Sequence, residues 1–105
     1  MGLPLSDVTV LDFGQIFQGS YATVLMAKAG ANVIKIEPPG GEPLRKRTVP
    51  GKRTTMSFAM LNANKRAITL NLKTERGKSL LFDMVKRADV LLENFGPGAM
   101  DRLGV

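Results

Sequence analysis

The 105-residue sequence contains no cysteine and no histidine. Without cysteine, the chain has no disulfide scaffold, no thiolate zinc site and no thiol nucleophile. Without histidine, it lacks the commonest general base and the commonest metal ligand, and Ser–His and Cys–His catalytic pairs are excluded. These two absences remove several catalytic and metal-site classes, and we expect no metal.

Long apolar runs are also absent. No stretch approaches the roughly 20 apolar residues that a membrane span needs, and the first ten residues lack the basic start and cleavage site of a signal peptide. We therefore expect a cytoplasmic protein that does not bind membranes. Apolar residues make up 44% of the chain and charged residues 23%, which is typical of one ordinary globular domain or part of one.

The net charge of +6 is distributed unevenly. Residues 45–66 carry seven of the 15 Lys and Arg residues and no acid, whereas the remainder has a net charge of −1. A single cationic segment suits a ligand that bears phosphate as well as it suits a polynucleotide.

The first forty residues predict a β–α–β unit. Residues 8–13 form a short apolar strand, and the glycine-bounded loop GQIFQG follows at 14–19. We expect Ser20 to cap a buried helix over residues 21–29, which Gly30 ends in the left-handed conformation. Residues 32–37 form the next strand. Two strands joined by a helix within about 30 residues indicate a parallel pair.

The second half adds a long loop and another β–α–β unit. Residues 38–55 show no hydrophobic periodicity, which is typical of a loop. The elements expected after them are one or two helical turns at 56–61, a strand at 67–72, a helix from the Thr74 cap to about 87, a strand at 89–93, and a short helix opened by 94–98 with Pro97 in its first turn. This order favours an open, mostly parallel α/β sheet resembling a nucleotide-binding fold.

In the nucleotide-binding arrangement the strand order is 3-2-1-4, and ligands bind beyond the carboxyl ends of the strands where the order reverses. The loops at 14–19 and 94–98 then meet at that point, with Leu72 and Lys73 on the same edge. We accordingly expect Phe17 and Gln18 to lie close to Asn94 and Phe95.

Four segments resemble a known family. PLSDVTVLDF, GANVIKIEPPGG, LNANKRAITLNLKTERGK and ADVLLENFGPGAMDRLG are similar, in order and spacing, to family III CoA-transferases of the CaiB/BaiF type. NKR and ENFGPGAMDRLG lie nearest the formyl-CoA:oxalate CoA-transferase branch. The resemblance implies coenzyme A as substrate. It implies contacts to CoA by Phe17, Gln18, Leu70, Asn71, Leu72, Lys73, Asn94, Phe95, Gly96 and Arg102.

The resemblance also implies chemistry that lies outside this chain. The family transfers CoA between carboxylic acids through an aspartyl-CoA thioester, and the Asp concerned falls beyond Val105. Residues 1–105 are then a single CoA-binding N-terminal segment of a longer transferase that forms interlocked homodimers. Two positions depart from the formyl-CoA transferase pattern: Phe17 replaces a Gln, and Pro38 replaces a basic residue.

Three alternatives remain open. α-Methylacyl-CoA racemases share this half of the family fold, and a small basic nucleic-acid-binding domain would suit the charge, although five Phe and one Tyr supply few stacking positions. An interaction fragment without a ligand is the third. Asp12 and Glu93, at strand ends, are more simply structural than catalytic, and the basic loop at 45–53 is more simply solvated than bound to ligand.

Overall fold

A computed structural model of the chain describes residues 2–47, 50–51 and 55–105. The elements within these residues are β1 (Thr9–Asp12), α1 (Gln18–Lys28), β2 (Asn32–Glu37), a 3-10 helix (Pro43–Lys46), α2 (Met56–Leu61), β3 (Arg66–Thr69), α3 (Glu75–Val85), β4 (Val90–Leu92) and α4 (Ala99–Leu103). No helix among the described residues is long and apolar enough to span a membrane.

The four strands form one parallel sheet in the order β3-β2-β1-β4. In its centre, Leu11 of β1 is paired with Ile34 of β2 and with Leu91 of β4. The strand order predicted from the sequence is therefore confirmed. Because the strands are parallel, their carboxyl ends share one edge of the sheet.

Side chains of β1 alternate between two layers of helices. Val10 packs with Ala27, Ala31 and Val33 on the side of α1. Leu11 and Phe13 face the other way and form the main apolar cluster with Ile36, Leu72 and Leu81, on the side of α3. A small third cluster joins Leu44, Phe58 and Leu61. The central strand is thus covered on both faces.

The start of α3 is fixed by its cap and by a close contact. The Thr74 hydroxyl accepts a hydrogen bond from the Gly77 N–H at 3.0 Å, as the sequence predicts. A Cβ on Gly77 would lie 1.9 Å from the backbone oxygen of Asn71, so only glycine fits. This contact holds the turn after β3 against the helix.

The prediction that Ser20 caps α1 is wrong. The helix begins at Gln18 with Phe17 at the cap position, and no side chain bonds there. Ser20 lies inside the first turn, fully buried, and its hydroxyl accepts a hydrogen bond from Lys35 at 3.4 Å. Gly30 does end the helix with φ +103°.

The prediction that α1 is buried holds for one face only, on which Thr23, Val24 and Ala27 are buried. Tyr21 and Leu25 are 49% and 48% exposed, because they line an open groove between α1 and α2. The apolar composition of α1 therefore overestimates how much of the helix is buried among the described residues.

Several boundaries in the second half differ from the sequence prediction, and the end of β3 and the start of α4 differ most clearly. β3 begins at Arg66 and ends at Thr69, since the chain turns after the Leu70 N–H donates to the Glu37 carbonyl at 2.8 Å. Pro97 lies before α4 and not in its first turn: Gly98, at φ +76°, is the residue that starts the helix. Both shifts occur at the edge where the carboxyl ends of the strands lie.

Candidate functional site

A cleft of about 860 Å³ opens at the carboxyl ends of β2, β1 and β4. Its lining comes from the end of β2, from the segments that follow all four strands and from α4: Phe13, Gly14, Gln15, Ile36, Glu37, Pro38, Pro39, Glu42, Asn71, Leu72, Lys73, Asn94, Phe95, Gly96, Ala99, Arg102 and Leu103. This is the position that the strand order predicts for a ligand.

Seven of the predicted site residues line this cleft together. They are Asn71, Leu72, Lys73, Asn94, Phe95, Gly96 and Arg102. Their convergence brings the end of β3, the segment after β4 and α4 around one space, although they lie up to 31 positions apart in the chain.

Three predicted residues lie elsewhere. Phe17 lines a second groove of about 400 Å³ between α1 and α2, where its ring stacks on Tyr21 with centroids 6.0 Å apart. Gln18 is exposed in the first turn of α1, and Leu70 packs against the main apolar cluster. The first loop does meet the segment after β4, but Gln15 and Gly19 make the approach rather than Phe17 and Gln18.

The two glycines that bound the first loop lie against each other. A Cβ on Gly14 would lie 2.7 Å from the carbonyl carbon of Gly19, and a Cβ on Gly19 would lie 3.1 Å from Cγ of Asn94. Any larger residue would force the loop away from β4. The GQIFQG spacing therefore makes a tight turn that brings the start of α1 close to Asn94.

Side chains from two other segments bind the backbone of this loop. The Gln15 N–H donates to Asn94 Oδ1 at 2.8 Å, and Asn94 Nδ2 donates to the Gln15 carbonyl at 3.0 Å. The Ile16 N–H donates to Glu42 Oε1 at 2.6 Å. Ile16 has φ +57°, a left-handed conformation that is unfavourable for a β-branched residue.

Buried charges support the loop from below. Asp12 accepts hydrogen bonds from the Gly14 N–H and from the Thr23 hydroxyl, both at 2.7 Å, and pairs with Lys65 at 2.9 Å. Lys35 donates to the Gly14 carbonyl at 2.8 Å. Burial lowers the pKa of Lys35 and of Lys65, with Asp12 opposing the shift in both. The structural interpretation of Asp12 thus agrees with its complete burial and full set of partners.

A second ion pair fixes the segment after β2. Arg45 binds both carboxylate oxygens of Glu37, at 2.6 and 2.9 Å, and its guanidinium lies 4.0 Å from the ring centroid of Phe58. Burial raises the pKa of Glu37, but the hydrogen bonds from Arg45 and from the Glu42 N–H outweigh it, so the net pKa is lowered. The pairing raises the pKa of Arg45.

These pairs change the interpretation of the basic segment. Arg45, Lys65 and Arg66 bind Glu37, Asp12 and Asn32 respectively, so their charges or hydrogens serve the fold. Lys52 and Arg53, which the sequence assigns to the basic loop, lie outside the described residues.

The charged groups at the cleft rim are cationic on the side of β3 and α4. Lys73 and Arg102 are exposed there, and Arg102 donates to the Pro97 carbonyl at 3.2 Å. Phe13 and Phe95 pack edge to face with centroids 6.0 Å apart and give the cleft an apolar wall. Such a space suits an elongated ligand that carries both apolar and anionic groups.

No group of three or more acidic side chains converges among the described residues. Glu93, at the end of β4, accepts a hydrogen bond from the Phe95 N–H at 2.8 Å and so stabilises the following turn.

Gln15 and Glu42 are among the cleft residues that sequence reasoning missed. Gln15 lies in the loop that was predicted to bind ligand, but the resemblance points two residues further along. Glu42 lies in a stretch without any period, and a buried acid after Gly40 and Gly41 has no pattern that distinguishes it from a solvated one.

Comparison with known proteins agrees with the sequence resemblance. Residues 5–105 match the model of the family described as CoA-transferase family III. Formyl-CoA:oxalate CoA-transferase of Streptomyces avermitilis is 49% identical over 102 residues, which are 95% of this chain and 25% of that protein. The protein of that name from Escherichia coli O139:H28 is 45% identical over 107 residues, covering 99% of this chain and 26% of its own length.

Solved structures show the same architecture. A hypothetical protein (Rv3272) from Mycobacterium tuberculosis superposes with a TM-score of 0.90 at 40% identity, over 98% of this chain and 28% of that one. A CAIB/BAIF family protein from Brucella suis gives a TM-score of 0.91 at 34% identity, over 100% of this chain and 29% of that one. The chain spans about a quarter of the length of the curated relatives it matches. By sequence, by fold and by the order of its elements, the chain belongs to CoA-transferase family III.

Proposed function

We propose that residues 1–105 are the CoA-binding N-terminal segment of a transferase that moves CoA between carboxylic acids. The cleft at the carboxyl ends of the strands is the observation that carries the proposal, because seven residues implied by the family resemblance line it together. The relatives named formyl-CoA:oxalate CoA-transferase favour transfer over racemisation.

The cleft has the chemistry that CoA requires. CoA carries a pyrophosphate and a 3′-phosphate at one end and a slender, largely uncharged pantetheine arm at the other. Lys73 and Arg102 supply positive charge at the rim, and Phe13 and Phe95 supply the apolar wall. In this proposal, Lys73 and Arg102 bind phosphate oxygens and the backbone of residues 94–96 orients the ligand.

The catalytic step belongs to residues that this sequence does not contain. In the proposed reaction an Asp carboxylate attacks the acyl-CoA thioester and forms a mixed anhydride with release of CoA thiolate. The thiolate then attacks the Asp carbonyl, giving an aspartyl-CoA thioester and the free donor acid, and the acceptor carboxylate reverses both steps. The interlocked homodimer and the cytoplasmic location expected from the sequence remain predictions.

The proposal is tested by titrating the purified chain with CoA and following amide shifts by NMR. We expect weak binding that shifts residues 71–73 and 94–96, and no CoA transfer with any acyl-CoA donor and acid acceptor. Lys73→Ala and Arg102→Ala should each lower affinity about tenfold, since each removes a charged hydrogen bond of roughly 1.5 kcal/mol.

Lys86→Ala and Arg87→Ala are the matched controls, because the end of α3 lies at the opposite edge of the sheet from the cleft. Equal losses of CoA affinity in the control variants would show that the effect comes from the net charge of the chain and not from contacts in the cleft. Turnover above background that survives replacement of Lys73, Asn94 and Arg102 by Ala would contradict both the site and the downstream nucleophile.

A nucleic-acid-binding function is tested by a parallel titration of the same chain with a polynucleotide. Any binding of polynucleotide should fall steeply with salt and show no sequence preference. A sequence-specific complex of nanomolar affinity at physiological salt would favour the nucleic-acid alternative.

A further inference from the structure

We propose that Glu42 and Asn94 are positioning residues whose side chains together clamp the backbone of Gln15 and Ile16 in the conformation that CoA meets. The inference rests on the proposed function, since CoA is the ligand whose affinity it concerns. It assigns a role to Glu42 and changes the expected role of Asn94 from ligand contact to loop support.

Asn94 uses both ends of its side-chain amide on one residue. Oδ1 accepts from the Gln15 N–H and Nδ2 donates to the Gln15 carbonyl, at 2.8 and 3.0 Å. The pair of bonds reproduces the way one residue of a sheet binds another. Because both polar atoms face the loop, the main chain of Asn94 remains to face the cleft.

Glu42 binds the next residue of the same loop, Ile16. Its Oε1 accepts from the Ile16 N–H at 2.6 Å, while its own N–H donates to Glu37 at 2.9 Å. Glu42 is only 2% exposed, and its Oε2 atom has no hydrogen-bond partner among the described residues. A buried carboxylate with an unpartnered oxygen is unfavourable for folding alone.

The three backbone groups that are held form a continuous stretch. They are the Gln15 N–H, the Gln15 carbonyl and the Ile16 N–H, and the last two belong to one peptide unit. The clamp explains how Ile16 keeps φ +57°, since such a conformation persists only where the surroundings fix it. Gln15 itself lines the cleft, so fixing its backbone fixes part of the ligand-binding surface.

Amide hydrogen exchange in the ligand-free chain tests the clamp directly. We expect Asn94→Ala to speed exchange at Gln15, and Glu42→Ala to speed it at Ile16, each by about tenfold, as loss of one hydrogen bond predicts. CoA affinity, measured by calorimetry, should fall by about tenfold in each variant.

The double variant separates support from direct contact. If both residues act through the same loop, the loss of CoA affinity in the double variant should be clearly smaller than the product of the two single losses. Glu42→Gln keeps an acceptor oxygen for the Ile16 N–H, so its exchange rate should stay within about threefold of the parent.

Asn32→Ala and Glu75→Ala are the controls. Asn32 binds Arg66 at 2.6 Å at the other end of β2, and the Glu75 side chain is 95% exposed. Neither should change exchange at Gln15 or Ile16, or CoA affinity.

Unchanged exchange at Gln15 in an Asn94→Ala variant that binds CoA less well would overturn the proposal, because Asn94 would then contact the ligand. Fully multiplicative losses would also overturn it. If the parent chain does not bind CoA, the proposed function fails while the exchange rates still decide the clamp. If Glu42→Ala does not fold, exchange at Gln15 in Asn94→Ala, compared with the Asn32→Ala control, decides the clamp.

Discussion

At the carboxyl end of β1, the two faces of the central sheet are packed with different chemistry, although both faces also hold an apolar cluster. On the side of α3 and α4 the buried residues of the central strand are apolar, as in Leu11 and Phe13. On the side of α1, the same strand ends in Asp12, which is fully buried with Lys35 and Lys65 beside it. The cleft loop lies above the charged side.

The difference shows how one small sheet separates stability from positioning. Apolar contacts are non-directional, so the α3 side tolerates exchange between side chains of similar volume. Charged hydrogen bonds have fixed directions and lengths, so the α1 side holds Gly14 at defined distances from β1 and β2. A substitution that conserves side-chain volume should therefore be tolerated on the α3 side and be strongly destabilising on the α1 side.

Removing the central carboxylate should have the largest effect. Asp12→Ala leaves Lys65 buried without its partner, and we expect a loss of about 3–5 kcal/mol in the free energy of unfolding, measured with urea. Asp12→Asn has nearly the same volume but no charge and should still be strongly destabilising. A loss under about 1 kcal/mol for Asp12→Asn would remove the distinction between the faces.

Leu81 makes the matching test on the apolar face. Leu81 is 1% exposed within the main cluster, so Leu81→Ala should cost about 2–5 kcal/mol by leaving a cavity. Leu81→Met conserves volume and should cost less than about 1.5 kcal/mol in the same urea experiment. A larger cost for Leu81→Met than for Asp12→Asn would reverse the comparison.

The cap of α3 should contribute less than either core. Thr74→Ala removes the hydrogen bond to the Gly77 N–H and should cost about 1 kcal/mol. Ser79→Ala, at an exposed position of the same helix, should stay within about 0.5 kcal/mol of the parent. An equal change in both variants would show that the cap adds nothing beyond helix propensity.

Protonation of Glu37 in acid should lower the free energy of unfolding, and this is the smallest of the expected effects. The Glu37–Arg45 pair contributes little because Arg45 is partly exposed to solvent. The pKa of Glu37 lies below its ordinary value of 4.5 in the folded chain, so the stabilisation is present above that pH. It is lost as the pH falls through the lowered pKa. Urea unfolding between pH 2 and pH 7 should give a flatter acid limb for Glu37→Gln than for the parent, whereas identical limbs would contradict the pairing.

The architecture was predictable because its signals are local. The strand from Asn32 to Glu37, the Thr74 cap and the Gly30 stop each follow from residue types within a few positions. The strand order is the one expected if the two β–α–β units are wound as in a nucleotide-binding fold. Ser20 was misassigned because its hydroxyl binds Lys35, which is 15 residues away in the chain. No pattern of neighbouring residues indicates whether Ser20 caps the helix or binds Lys35.

The candidate site was predictable only in outline for the same reason. The convergence of the segments after β1 and β4 follows from topology, and Lys73, Asn94 and Arg102 follow from the family resemblance. The contacts of Asn94 with Gln15 and of Glu42 with Ile16 join residues 79 and 26 positions apart. Phe17 turns toward the second groove because the helix begins directly after it, a boundary that the sequence places three residues too late.

The position of the first strand in the middle of the sheet has a consequence for biosynthesis. β1 pairs with β2 early, but its other edge waits for β4: the Phe13 N–H donates to the Leu92 carbonyl at 2.8 Å. At ribosomal rates of about 5–20 residues per second, the roughly 55 residues between Glu37 and Leu92 take about 3–11 s to be made. Throughout that interval the nascent chain presents an apolar strand edge open to other chains. We therefore expect the emerging polypeptide to need protection by chaperones until β4 leaves the ribosome.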